Sequence, residues 1–189
     1  MRTINDPKTI TEQQPSYLAS WRASRRKNRD EALAALEAMG LSRAEAALVA
    51  RSAHLATLQP GELITRLGGY GRAVTLVFSG ALEVSRPGDR VFEIRPELSR
   101  PEVIGELTAL GDQLFQVADV RVVEPAFCVT IHAEKLRNLL PRVPVLRAYI
   151  DASHTSRREQ LFEESASARV AQYEAYQTYL AALDRIQGS

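Results

Sequence analysis

Between about residue 57 and Ile131 the chain is cut into short apolar runs by glycine and proline turns, and this punctuation constrains the fold more than any other feature. The runs are Glu62–Arg66, Val74–Phe78, Ala81–Ser85, Val91–Ile94, Val117–Val122 and Ala126–Ile131. Between them stand Gly68-Gly69-Tyr70-Gly71, Ser79-Gly80 and Pro87-Gly88-Asp89. Short strands at regular spacing, joined by such turns, predict an antiparallel barrel or sandwich.

Helical periodicity lies on both sides of this β core. From Asp30, Ala32, Leu33, Leu36 and Met39 recur at three and four residues, and Gly40 is placed as a stop. Ser42 with Glu45 three residues on forms a capping box ahead of a second apolar stretch that ends at Ala53. After the strands, His132–Leu140 reads as a short helix closed by Pro141, and Pro144 opens a last one. In that last stretch Phe162, Ala166, Val170, Tyr173, Tyr176, Leu180 and Leu183 form one apolar stripe, which has to be covered by the barrel or by the same helix of a second subunit. Residues 1–30 show no sustained periodicity and carry a basic cluster, Arg22, Arg25, Arg26, Lys27 and Arg29, expected on a mobile or short helical extension.

Composition excludes several classes. The chain of 189 residues with 45% hydrophobic content suits one domain with extensions. A formal net charge of +1 supplies no global field toward nucleic acid or a membrane surface. The single cysteine, Cys128, sits in the apolar run Phe127-Cys128-Val129 and reads as a buried small hydrophobe, without an internal disulfide framework. No apolar run approaches the roughly 20 residues that span a bilayer, and the first residues lack the apolar centre of a secretion signal. A cytoplasmic location is the expectation.

The order of the remaining signals is more specific. A helix pair is followed by L-Q-P-G-E-L-I, a glycine-bearing turn, T-L-V-F-S-G-A-L-E-V, I-G-E-L-T-A-L and A-D-V-R-V. This order resembles the catabolite-activator branch of the cyclic nucleotide-binding domain family over about residues 31–150. The resemblance implies an α+β fold: an antiparallel, eight-stranded jelly roll flanked by N-terminal helices and a long C-terminal helix. It divides the chain into an N-terminal extension (1–30), a cyclic nucleotide-binding-like domain with its flanking helices (31–150) and the long C-terminal helix (151–189).

The family's phosphate cassette is written F-G-E, a spacer, then R-[ST]-A-x-V, and here the run is V-I-G-E-L-T-A-L-G-D-Q-L-F-Q-V-A-D-V. The resemblance makes Gly105, Glu106, Leu107, Thr108, Gln116 and Val117 the ligand-binding residues. Gly105 permits close backbone approach, Glu106 accepts from a ribose hydroxyl, and Leu107 and Thr108 open a short helix whose N–H groups meet the phosphate. The family's arginine position holds Gln116 and the hydroxyl position beside it Val117. Pro101-Glu102 stands in place of the family's Gly-Asp. A charge-assisted phosphate contact contributes on the order of 1.5–3 kcal/mol against about 1 for a neutral hydrogen bond. Cyclic mononucleotides should therefore bind more weakly by about one or two orders of magnitude. Strand alternation turns Arg121 away from the pocket toward Asp119, while Arg66 and Arg72 lie near the glycine turn as substitute cations.

Other chemistries find little support. A cupin-like metal site needs clustered histidines and carboxylates, but His54, His132 and His154 are scattered over predicted helices or helix starts. No G-x-S-x-G or phosphate-binding loop is present, so neither a catalytic residue nor a cofactor is expected. The helix-turn-helix of the family's transcription factors does not fit the stretch after Pro144, and no specific DNA contact is expected. Two readings follow. In one, a regulatory sensor with an altered pocket binds a cyclic nucleotide or cyclic dinucleotide and signals to a protein partner through its C-terminal helix, with Leu161 and Phe162 as the lid over the base. In the other, the same fold is a ligand-free scaffold or dimeric interaction module; a helix seam through Tyr173, Tyr176, Leu180 and Leu183 makes the chain a homodimer, the expected state, and packing of those residues on its own N-terminal helices makes it a monomer.

Overall fold

A computed structural model of the chain describes residues 14–86, 91–113 and 115–161, with backbone only for 14–25. Among these residues eight strands form two four-stranded antiparallel sheets. In chain order the strands are β1 (His54–Leu58), β2 (Leu63–Thr65), β3 (Ala73–Val77), β4 (Ala81–Ser85), β5 (Phe92–Ile94), β6 (Glu102–Ile104), β7 (Asp119–Glu124) and β8 (Ala126–His132). One sheet has the order β1-β8-β3-β6 and the other β2-β7-β4-β5. Successive strands β3 and β4, and again β7 and β8, belong to different sheets, so each short turn between them carries the chain across the sandwich.

Alternation along the strands makes the core. Ala118, Val120 and Val122 are buried on one face of the β7 segment while Arg121 and Val123 are exposed on the other. They pack with Val77, Leu82, Val84, Ile104, Ala126 and Cys128. Thr75 and Thr130 stand opposite each other in the β3–β8 register, and their hydroxyls meet at 3.0 Å, which satisfies both polar groups inside the sheet. Cys128 is 1% exposed, and burial, with a smaller contribution from the Glu62 carboxylate, pushes its thiol up to about 12.

The helices are α1 (Gln14–Ala38), α2 (Arg43–Ser52), α3 (Glu106–Ala109), α4 (Ala133–Leu139) and α5 (144–161), with a 3-10 turn at Leu140–Arg142. The capping box at the head of α2 is present: the Glu45 N–H donates to the Ser42 hydroxyl, and the Glu45 carboxylate accepts from the Ser42 backbone. Ala32, Ala35, Leu36 and Met39 of the α1 end and Ala46, Val49 and Ala50 of α2 are buried where the two helices pack. The Asn28 amide of α1 donates to the Leu55 carbonyl of β1 at 3.3 Å. The chain divides into two compact units between Arg147 and Ala148, the first holding both sheets and α1 to α4.

Three expectations need correction. The first helix does not open at Asp30 but sixteen residues earlier, at Gln14, and runs as one helix through the basic cluster. Its first part is rich in Ala, Ser and Arg, residues compatible with helix without an apolar stripe, and Pro15 occupies the first turn, where its missing N–H costs nothing. His54 stands in strand β1 rather than in a helix, because the helix ends at Ser52 and Leu55, Ala56, Thr57 and Leu58 pair along β8. Arg121 is turned outward as expected, but its guanidinium donates to the Gly61 carbonyl at 2.9 Å and not to Asp119, whose carboxylate accepts from the Leu67 N–H at 2.7 Å.

Candidate phosphate cradle

Gly105 closes β6 and caps α3 with φ at +87°, a left-handed conformation that favours glycine. The position is doubly restricted, since a Cβ there would lie 2.6 Å from the Ala73 carbonyl oxygen. The turn therefore brings the start of α3 directly against the first residue of β3. Glu106 and Leu107 point inward and are 1% and 6% exposed. Thr108, one turn on, is half-buried and donates its hydroxyl proton to the Gly105 carbonyl at 2.9 Å.

Gln116 and Val117 arrive from the other side. Both precede β7, which begins at Asp119, and both are half-buried. The Gln116 N–H donates to the Gly69 carbonyl at 2.9 Å, and its own carbonyl accepts from the Gly68 N–H at 2.8 Å. Its side-chain amide donates to the Thr108 hydroxyl at 2.8 Å. Gly71 makes room for this amide: a Cβ there would lie 2.0 Å from Gln116 Nε2. The structure thus joins Gly105, Thr108 and Gln116 in one hydrogen-bonded chain, with Glu106 and Leu107 buried beside it and Val117 at its rim.

The glycine turn is the part of the site that sequence reasoning passed over. Gly68, Gly69 and Gly71 read as a separator between strands, yet they hold Gln116 by backbone and by shape. A glycine-rich turn of no evident register was the available signal. The rim of the cradle is aromatic: Tyr70 and Phe115 meet edge to face with centroids 6.1 Å apart, and both are exposed. A shallow groove of about 660 Å³ runs beside Gln116, between Leu67, Phe115 and Val117.

Neither substitute cation is engaged with the cradle. Arg66 and Arg72 are both exposed. The Arg72 guanidinium lies 5.1 Å from the Tyr70 ring centroid and donates to the Tyr70 hydroxyl at 3.3 Å, a contact that holds its proton more tightly than usual. Neither hydrogen-bonds Thr108 or Gln116. Of the expected lid, Leu161 is half-buried at the end of the described part of α5, while Phe162 and the stripe from Ala166 to Leu183 lie outside the described residues. Among the described residues no three His, Cys, Asp or Glu side chains form a metal-binding group, and no helix is long and apolar enough to cross a membrane.

Comparison with known proteins places this geometry. The family model of the cyclic nucleotide-binding domain matches residues 55–142, which runs from β1 to the 3-10 turn after α4. No curated protein matches the chain. Among solved structures, the catabolite activator protein of Thermus thermophilus is 24% identical with a TM-score of 0.53, over 69% of this chain and 61% of that one. The regulatory domain of Toxoplasma gondii PKA, solved with cAMP, is 19% identical with a TM-score of 0.53, over 70% of this chain and 51% of that one. At these identities the likeness is one of fold, and the chain spans less than two thirds of either relative's length. Over residues 55–142 the chain is thus similar to the cyclic nucleotide-binding domain family.

Proposed function

We infer that this chain is a non-enzymatic regulatory module in which a cyclic nucleotide-binding domain works with a neutral phosphate cradle, passing its state to a protein partner through its C-terminal helix. Similarity to the family and the fold make a regulatory, cyclic nucleotide-sensing role the starting point. The observation that carries the finer reading is the bond from the Gln116 amide to Thr108. The position read from the motif as the family's arginine supplies a neutral donor, already used within the protein, so a cyclic phosphate gains no fixed countercharge there. On the difference between charged and neutral hydrogen bonds, cyclic AMP and cyclic GMP bind about ten- to a hundredfold more weakly than in a cradle with arginine.

The second reading, a ligand-free scaffold or dimeric interaction module, draws on the same chain of bonds. Thr108 and Gln116 have polar partners without any ligand, so an empty site leaves these groups satisfied. Calorimetry of the full chain with cyclic AMP, cyclic GMP and a cyclic dinucleotide decides. Micromolar or weaker mononucleotide binding agrees with the neutral cradle, absence of all binding favours the scaffold, and sub-micromolar mononucleotide binding overturns the reading of Gln116.

A further inference from the structure

We propose that Gln116 is the resident occupant of its own cradle, a clasp that ties the glycine turn to α3 in the absence of ligand, and that Gly71 is glycine in order to admit it. The proposal takes from the preceding section only the location of the cradle. Gln116 touches two segments far apart in sequence. Its backbone pairs with Gly68 and Gly69 of the turn before β3, and its side chain reaches Thr108 of α3. Thr108 continues the chain of bonds to the Gly105 carbonyl, which also accepts the Ala109 N–H at 3.0 Å. The hydroxyl donates once and accepts once, so its donor is committed within the protein.

Gly71 supplies the independent observation. Its φ is not among the positive values found at Gly40, Gly61, Gly68, Gly80, Gly105 and Gly111, so its backbone does not itself require glycine. The three atoms nearest to an added Cβ are Nε2 at 2.0 Å, Cδ at 3.0 Å and Cγ at 3.4 Å, all of Gln116. A side chain at 71 and the amide at 116 exclude each other, and no other group accounts for the glycine. At Gly105 the obstruction is the Ala73 backbone, a constraint of the fold; at Gly71 it is the end of one flexible side chain. An anion entering the space beside Gly71 that the amide fills has to displace the amide, so ligand entry and release of the clasp become one event.

A double-mutant cycle on the full chain, without nucleotide, tests the proposal. Gly71→Ala pushes the amide off Thr108 and lowers Tm by about 2–4 °C, the loss of roughly one hydrogen bond in a chain of this size. In a Gln116→Ala background the same substitution meets empty space and changes Tm by less than about 1 °C. Hydrogen exchange over residues 68–71 and 105–109 accelerates about tenfold in either single variant, and likewise in Thr108→Val, which keeps the branched shape but removes the acceptor. Equal cost of Gly71→Ala in both backgrounds, or no cost in either, overturns the clasp. Because no nucleotide is added, an additive cycle leaves the affinity reading standing, and tight mononucleotide binding leaves the clasp standing.

Discussion

The Gln116 amide donates to the Thr108 hydroxyl across 2.8 Å, joining the residue just before β7 to the second residue after the Gly-Glu pair. The contact gives the Gln116 amide and the Thr108 hydroxyl each a partner within the protein, and it gives the neutral residue a defined place. On the proposed reading, such a cradle would keep its shape through its own side chains and read charge weakly.

Restoring the cation should restore affinity. Gln116→Arg gains about ten- to a hundredfold in binding cyclic AMP or cyclic GMP by calorimetry, the difference between a neutral and a charge-assisted phosphate contact. The gain shrinks as salt rises, because the added contact is ionic. An unchanged constant would show that residue 116 does not face the phosphate.

Gly105→Ala tests the close approach of α3 to β3. The substitution puts a Cβ against the Ala73 carbonyl at a φ of +87° and costs on the order of 2–3 kcal/mol in chemical denaturation. A loss below about 0.5 kcal/mol, the range of an ordinary surface change, would contradict the described turn.

Much of this was legible before the structure, for identifiable reasons. The strands bounded by Ser79-Gly80 and by Pro125 stand within a residue or two of their expected limits, because those turn residues act locally. The capping box at Ser42 and Glu45 did the same for α2. Strands β1 and β6 were not legible: β1 follows α2 after one residue, and β6 has three residues with no alternation to read. In the site, Gly105 and Thr108 were marked by their motif. Gly71 was hidden because its role exists only once a residue 45 positions later folds against it.

Cys128 predicts a pH effect on stability. Burial raises its folded pKa to about 12, above the 9.0 of the free group, so the unfolded chain ionises first. The stability tied to the neutral thiol is whole below pH 9 and declines as pH climbs toward 12. Denaturation midpoints of Cys128→Ala should fall less over that window than those of the parent. In the folded parent the thiol should resist a thiol-reactive dye at pH 8 and react on unfolding; prompt labelling of the native protein would place Cys128 elsewhere.

Ser42→Ala removes the hydroxyl that accepts from Glu45 and should cost about 1 kcal/mol of stability. Ser42→Asp, which preserves an acceptor at the cap, should recover most of it in the same melting experiment.

Strand β1 is an outer strand of its sheet, and α1 lies against it with Asn28 bonded to Leu55. Bare outer strands recruit one another between molecules, so this helix serves as a guard against clumping as well as a structural flank. A fragment trimmed to the family-matched residues 55–142 discards the guard, and its poor behaviour in solution would say nothing about the chemistry of the cradle.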